Sequence, residues 1–256
     1  MKTLVIGTSH TFGECQPEGH IPPEQRWCNL LTKSIGSELE VLSMVGASFQ
    51  HHAYIAMRYL FDTNEKYDLC VVEGRHITSS DGSYPLPKGK GSPWPDSRVF
   101  EEFDNTHDHA LFYKPWLTKE SSYQKERLEP FQNMFITGVP VNKEWYEDYV
   151  CSPLHFIDCY FINLGLCKFL EKYCSRVAWF SMNGPNKHVK DIDTYIEWSD
   201  ELLKDYKIEC SWSKKTLRKD LYKPDDFRCG CGHPNVKGHV LLADEIEQKL
   251  REKEWI

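Results

Sequence analysis

From the N-terminus to Val72 the chain alternates short apolar runs with helical patterns, and this alternation constrains the fold more than any other feature. Thr3 to Ile6 is a β-branched, apolar run that ends in Gly-Thr-Ser, which reads as a buried strand stopping at a sharp turn. Gln25 to Ser37 carries Trp27, Leu30, Leu31 and Ile35 at helical spacing, and Leu39 to Met44 forms a second strand running into Gly46. His51 to Leu60 is again helical, with Ile55, Met57, Tyr59 and Leu60, and Asp68 to Val72 is a third buried strand. Strands this apolar, each followed by a helix, belong to a parallel sheet covered on both faces. The rhythm resumes with a helix over His155 to Tyr173, a strand over Arg176 to Met182 and a helix over Ile192 to Tyr206. A short strand over Ile208 to Trp212 follows, and a closing helix after Pro234 and Asn235 includes Val240, Leu241, Ile246 and Leu250. The expected class is α/β, with a mainly parallel five-stranded sheet.

Between Ile77 and Val150 the pattern breaks. Pro85, Pro87, Pro93 and Pro95 are interleaved with glycines, and a stretch rich in Trp, Tyr and Phe comes after. We read residues 77–150 as an insertion after the third strand, a lid or substrate-binding flap, within a single domain spanning 1–256. A net charge of −7 without a long Lys/Arg run argues against duplex nucleic acid or an anionic membrane as a partner. The opening MKTLVIGTSH is apolar over too few residues for a signal-peptide core or a membrane span. The ten cysteines are spread through predicted helices and strands, for example Cys70, Cys159, Cys167 and Cys174, rather than set in a compact disulfide framework. Reduced thiols in a cytoplasmic protein are the expectation.

In a doubly wound sheet, ligands lie beyond the carboxyl ends of the strands, so the turns after the strands hold the candidate chemistry. After the first strand comes Gly7-Thr8-Ser9-His10-Thr11-Phe12-Gly13. A serine there can project its hydroxyl from the sheet edge beside backbone N–H groups, or it can serve only as a helix cap or turn residue. Gly46 in the second turn can lend its N–H to a negative oxygen, or be a plain turn glycine. The third turn offers Glu73-Gly74-Arg75-His76, with Arg75 or His76 as donors to developing charge, or a surface ion-pair cluster. Near the C-terminus, Cys229-Gly230-Cys231-Gly232-His233-Pro234-Asn235 delivers a histidine at the start of the last helix, where a general base can be held, and Pro234 suits a helix's first turn.

These blocks together resemble the SGNH (GDSL-type) hydrolases. Gly7-Thr8-Ser9-His10-Thr11-Phe12-Gly13 is similar to the family's nucleophile block, and His233-Pro234-Asn235 with Gly238-His239 is similar to its histidine block. Gly46 falls at the second-block glycine, and Asp68 to His76 at the Gly-x-Asn-Asp block. The resemblance implies a flavodoxin-like three-layer sandwich and a serine esterase or acyltransferase that acts on an ester, such as an O-acetylated carbohydrate. It implies Ser9 as nucleophile, His233 as base, and the N–H groups of Ser9 and Gly46 at the oxyanion, with no metal or organic cofactor. The chain departs from the family in three places. Thr8 replaces the aspartate of Gly-Asp-Ser, and the third block lacks its asparagine, so either Arg75 or His76 acts as that donor or the donor is absent. The position three residues before the histidine, where the family carries its acid, is Gly230, which leaves Asp226, Asp225 or an acid-free Ser-His dyad.

Two other readings compete. Cys229, Cys231, His233 and His239 are zinc-type ligands, but Cys-x-Cys-x-His is tighter than the usual Cys-x2-Cys spacing and lacks a second Cys pair. Alternatively, the fold is kept without the chemistry, as a binding or structural protein that recognises glycans, with Trp94, Tyr113, Trp116 and Trp145 available for sugar stacking.

Overall fold

The computed structural model describes residues 1–15, 19–43, 49–74, 153–182, 192–210, 226–229 and 233–256. The insertion expected at 77–150 lies outside them, as do Gly46, Arg75, His76, Asp225, Gly230 and Cys231.

Strand β1 (Lys2–Gly7) leads into the four-residue helix α1 (Ser9–Phe12) and the small antiparallel pair β2 (Glu14–Cys15) and β3 (Gly19–His20). Helix α2 (Trp27–Ser34), strand β4 (Glu38–Ser43), helix α3 (Phe49–Thr63) and strand β5 (Leu69–Gly74) follow. The C-terminal part supplies helix α4 (Pro153–Leu170), strand β6 (Val177–Ser181), helix α5 (Ile192–Leu203) and helix α6 (Val236–Glu252). Every expected strand and helix up to α5 is present, displaced by a few residues at its ends. The last expected strand begins beside β6: Trp179 and Lys207 form a parallel bridge, Trp179 N donates to Tyr206 O and Ile208 N to Trp179 O.

The four long strands lie in the order β4-β1-β5-β6, and every pair is parallel. Alternation along the strands sends successive side chains to opposite faces. Leu4, Ile6, Cys70, Val72 and Trp179 face one layer with Ala56 and Leu60 of α3 and Leu166 and Leu170 of α4. Val5, Val71, Ala178 and Phe180 face the other with Trp27 and Leu31 of α2 and Leu242 and Ile246 of α6. The result is a three-layer α/β sandwich. Chain order departs from β1 first to one side, at β4, and then to the other, at β5. The carboxyl ends of β1 and β5 therefore flank the switch point, where side chains from two separate connections can face a common space.

Candidate active site

The end of β1 is built around Glu73, the next-to-last residue of β5. Its side chain is 1% exposed, and it is the one buried carboxylate among the described residues. A buried charge must be paired or hydrogen-bonded, and among the described residues the partners of Glu73 are Thr8, His10 and Thr11. Thr8 N donates to Oε2 at 3.1 Å and Thr11 N at 3.0 Å. The hydroxyls of Thr8 and Thr11 donate to Oε1 and Oε2 respectively. His10 Nδ1 lies 2.9 Å from Oε1 and 3.1 Å from the Thr8 hydroxyl. Burial alone raises the Glu73 pKa, but the hydrogen bond and charge of His10, then the donors of Thr11 and Thr8, overturn this and hold it at about 2.

This clasp fixes the turn that carries Ser9. Thr8 occupies the capping position of α1, its carbonyl accepting from Phe12 N at 2.9 Å, so Ser9 is the first helical residue after the carboxyl end of β1. Gly7 lets the strand come this close: a Cβ there would lie 2.5 Å from Thr11 Cβ and 2.9 Å from Glu73 Oε2. Gly13 turns the chain out of α1 with φ +80°, and a Cβ on it would meet the Arg26 side chain at 2.9 Å.

The second half of the site comes from the loop before α6. Arg228 and Pro234 form an antiparallel bridge, Cys229 N donates to His233 O at 2.9 Å and Asn235 N to Phe227 O at 3.0 Å. Asn235 caps α6 by accepting from Gly238 N at 3.0 Å, while its amide donates to the Asp226 carbonyl at 3.1 Å. Pro234 thus precedes the cap, one step earlier than the first helical turn expected for it, because Asn235 is the better capping side chain. The loop holds His233 half-buried against α1, its ring centroid 4.9 Å from that of His10 with the planes inclined at 39°. Asp226 is exposed and anchors the loop through its main chain.

His239, one turn into α6, is fully buried and accepts the Trp27 backbone N–H at Nδ1, 3.1 Å away. Burial first, with the nearby charges of His10 and Arg26 adding to it, holds its pKa down at about 3 despite the opposing field of Glu73. It is a neutral strut between α2 and α6. Because Nδ1 accepts, Nε2 carries the ring hydrogen and offers no lone pair to a metal, which takes His239 out of the zinc-type set.

The structure thus brings together the first and last sequence blocks through His10 and His233. Glu73 and His10 are the site residues that sequence reasoning passed over. The signal available for Glu73 was an acid closing an otherwise apolar strand, Leu-Cys-Val-Val-Glu, with hydroxyl and imidazole donors clustered after β1.

No protein-family model matches the chain, and no curated protein matches its sequence. Solved structures do match. The psychrotrophic esterase EstA from Pseudoalteromonas sp. aligns over 99% of both chains at TM-score 0.52 and 9% identity. A carbohydrate esterase whose active site displays divergent catalytic and non-catalytic binding functions aligns over all of this chain and 67% of its own, at TM-score 0.51 and 12% identity. A member of the lipolytic G-D-S-L family from Veillonella parvula aligns over 97% of both chains at TM-score 0.48 and 10% identity. The fold is that of the SGNH/GDSL-type hydrolases.

Proposed function

We propose that the protein is a serine esterase acting on a small-molecule or carbohydrate ester, with an O-acetylated sugar as the substrate class. The observation that carries this reading is the packing of His233 against His10, the residue after Ser9, at 4.9 Å between ring centroids. A loop at the far end of the chain delivers an imidazole to the serine turn at the switch point of the sheet. Ser9 attacks the acyl carbon as His233 takes its proton; the tetrahedral intermediate then expels the alcohol, which receives that proton. Water activated by His233 hydrolyses the acyl-Ser9 ester and restores the site. Backbone N–H groups of Ser9 and Gly46, with His76 or Arg75, serve the oxyanion, as the resemblance implies. Asp226, or the adjacent Asp225, is the loop carboxylate that the resemblance leaves for the acid's role. This chemistry needs no metal or organic cofactor. The esterase neighbours support the reaction class, and no helix among the described residues is long and apolar enough to cross a membrane. A cytoplasmic location fits the spread of the cysteines, of which Cys28, Cys70, Cys167 and Cys174 are buried and outside any disulfide.

The test is turnover of p-nitrophenyl acetate and acetylated xylo-oligosaccharides by the wild type, Ser9→Ala and His233→Ala. Hydrolysis abolished in both folded variants supports the esterase. Equal, background rates in all three would favour the second reading, a glycan-binding protein using the same end of the sheet, for which the neighbour with non-catalytic binding functions is the precedent. Binding of unmodified xylo-oligosaccharides would then be measured calorimetrically.

A further inference from the structure

The position at which the resemblance would place an acid is Gly230, and the carboxylate of Asp226 stands exposed. A charge-stabilising carboxylate acts most strongly when shielded from water, and at this end of the sheet the shielded one is Glu73. Thr8 and Thr11 spend their hydroxyl hydrogens on Glu73, so the hydrogen between His10 Nδ1 and Glu73 Oε1 belongs to the imidazole. This fixes the His10 ring by the edge, with the carboxylate behind Nδ1, the arrangement that orients a catalytic or metal-bound histidine. The His10 ring also meets His233.

We propose that Glu73 and His10 act as the positioning unit for His233: the carboxylate locks the His10 ring, and that ring holds the His233 imidazole while placing the Glu73 charge behind it. The idea rests on the reading of Ser9 and His233 as nucleophile and base, and gives the site an acid from β5 in place of the one absent at 230. When His233 takes the Ser9 proton, the imidazolium forms beside a ring that is already anchored to a negative charge. Among the described residues, the other ionisable groups on the elements around His233 are His239 of α6, Arg26 ahead of α2, and Asp226, Arg228 and Cys229 on the His233 loop itself. Arg26 is buried, and at the neighbouring His239 its positive charge lowers the pKa while the Glu73 carboxylate raises it.

The experiment compares the wild type, Glu73→Gln, His10→Asn and Asp226→Asn. Two quantities are followed against pH: the rate at which a fluorophosphonate labels Ser9, and the 15N chemical shifts of the His233 ring. His10→Asn keeps an N–H for Glu73 but removes the ring that meets His233. Glu73→Gln should move the acid limb of labelling and the His233 titration to lower pH by about one unit, with the plateau rate falling about tenfold. His10→Asn should lower the plateau about tenfold, measured at a temperature where the variant remains fully folded. A purely structural clasp would change stability and leave limb and plateau in place, and that result overturns the proposal. So does a loss confined to Asp226→Asn, which gives the role to the loop carboxylate. Should Glu73→Gln fail to fold, the His10→Asn plateau decides. If the wild type itself is not labelled at Ser9, the esterase reading fails; the His233 titration then still reports whether Glu73 and His233 are coupled.

Discussion

Acid should loosen the sheet edge at Glu73, and Glu73→Gln isolates the effect. The Glu73 carboxyl titrates at about 2 in the folded chain, against 4.5 for an ordinary glutamate. Its folded pKa is depressed, so the stability it contributes is fully present above pH 4.5 and is lost as pH falls towards 2. The whole difference corresponds to about 3 kcal/mol, of which about 2 kcal/mol is gone by pH 3. Urea unfolding of the wild type and Glu73→Gln at pH 6.5, 5, 4 and 3 measures this directly. The stability gap between the two proteins should narrow by about 2 kcal/mol across the series. His239, whose depressed pKa also makes the fold acid-sensitive, is present in both proteins and cancels from the gap. Parallel profiles, with a constant gap from pH 6.5 to pH 3, would refute the claim that Glu73 is held ionised by its five donors.

Gly7→Ala should cost about 2 kcal/mol in urea unfolding, because the added methyl meets Thr11 and Glu73 rather than open space. Gly74→Ala brings a Cβ to 2.7 Å from Trp179 Cζ2; it should displace the indole from its 3.0 Å bond to Asn163 and red-shift the tryptophan emission, and an unchanged spectrum would count against the packing described. The ring nitrogens of His239 should show no titration between pH 5 and pH 8, and His239→Phe, which strands the Trp27 N–H, should cost about 2 kcal/mol by thermal or urea melts.

The layers of the fold were legible because each strand is a short apolar run closed by glycine or a polar turn, and β1, β4 and β5 are joined by helices too regular to mistake. Boundaries were less so. The segment from Pro153 to Leu170 is apolar on every side, so its pattern does not mark where the buried face ends, and Ile157 and Phe161 remain exposed on it. Ser9 and His233 were found from their neighbours in sequence, since turn glycines and a pre-helical loop are local signals. Glu73 was read as a turn residue next to Arg75 and His76, but it lies inside β5. Its partners sit 62 to 65 positions away, and no local pattern announces a contact of that range. His10 was hidden for the same reason, its two meaningful neighbours coming from β5 and from the loop before α6.

The five described hydrogen-bonded contacts of Glu73 fall on Thr8, His10 and Thr11, on either side of Ser9 in sequence. Architecture and reactivity are thereby assigned to interleaved residues of the same turn. Removing the Ser9 hydroxyl leaves every one of those bonds in place, so Ser9→Ala makes a suitable trap: an assembled pocket that can retain an intact ester long enough for mass spectrometry to identify what the wild type would have cleaved.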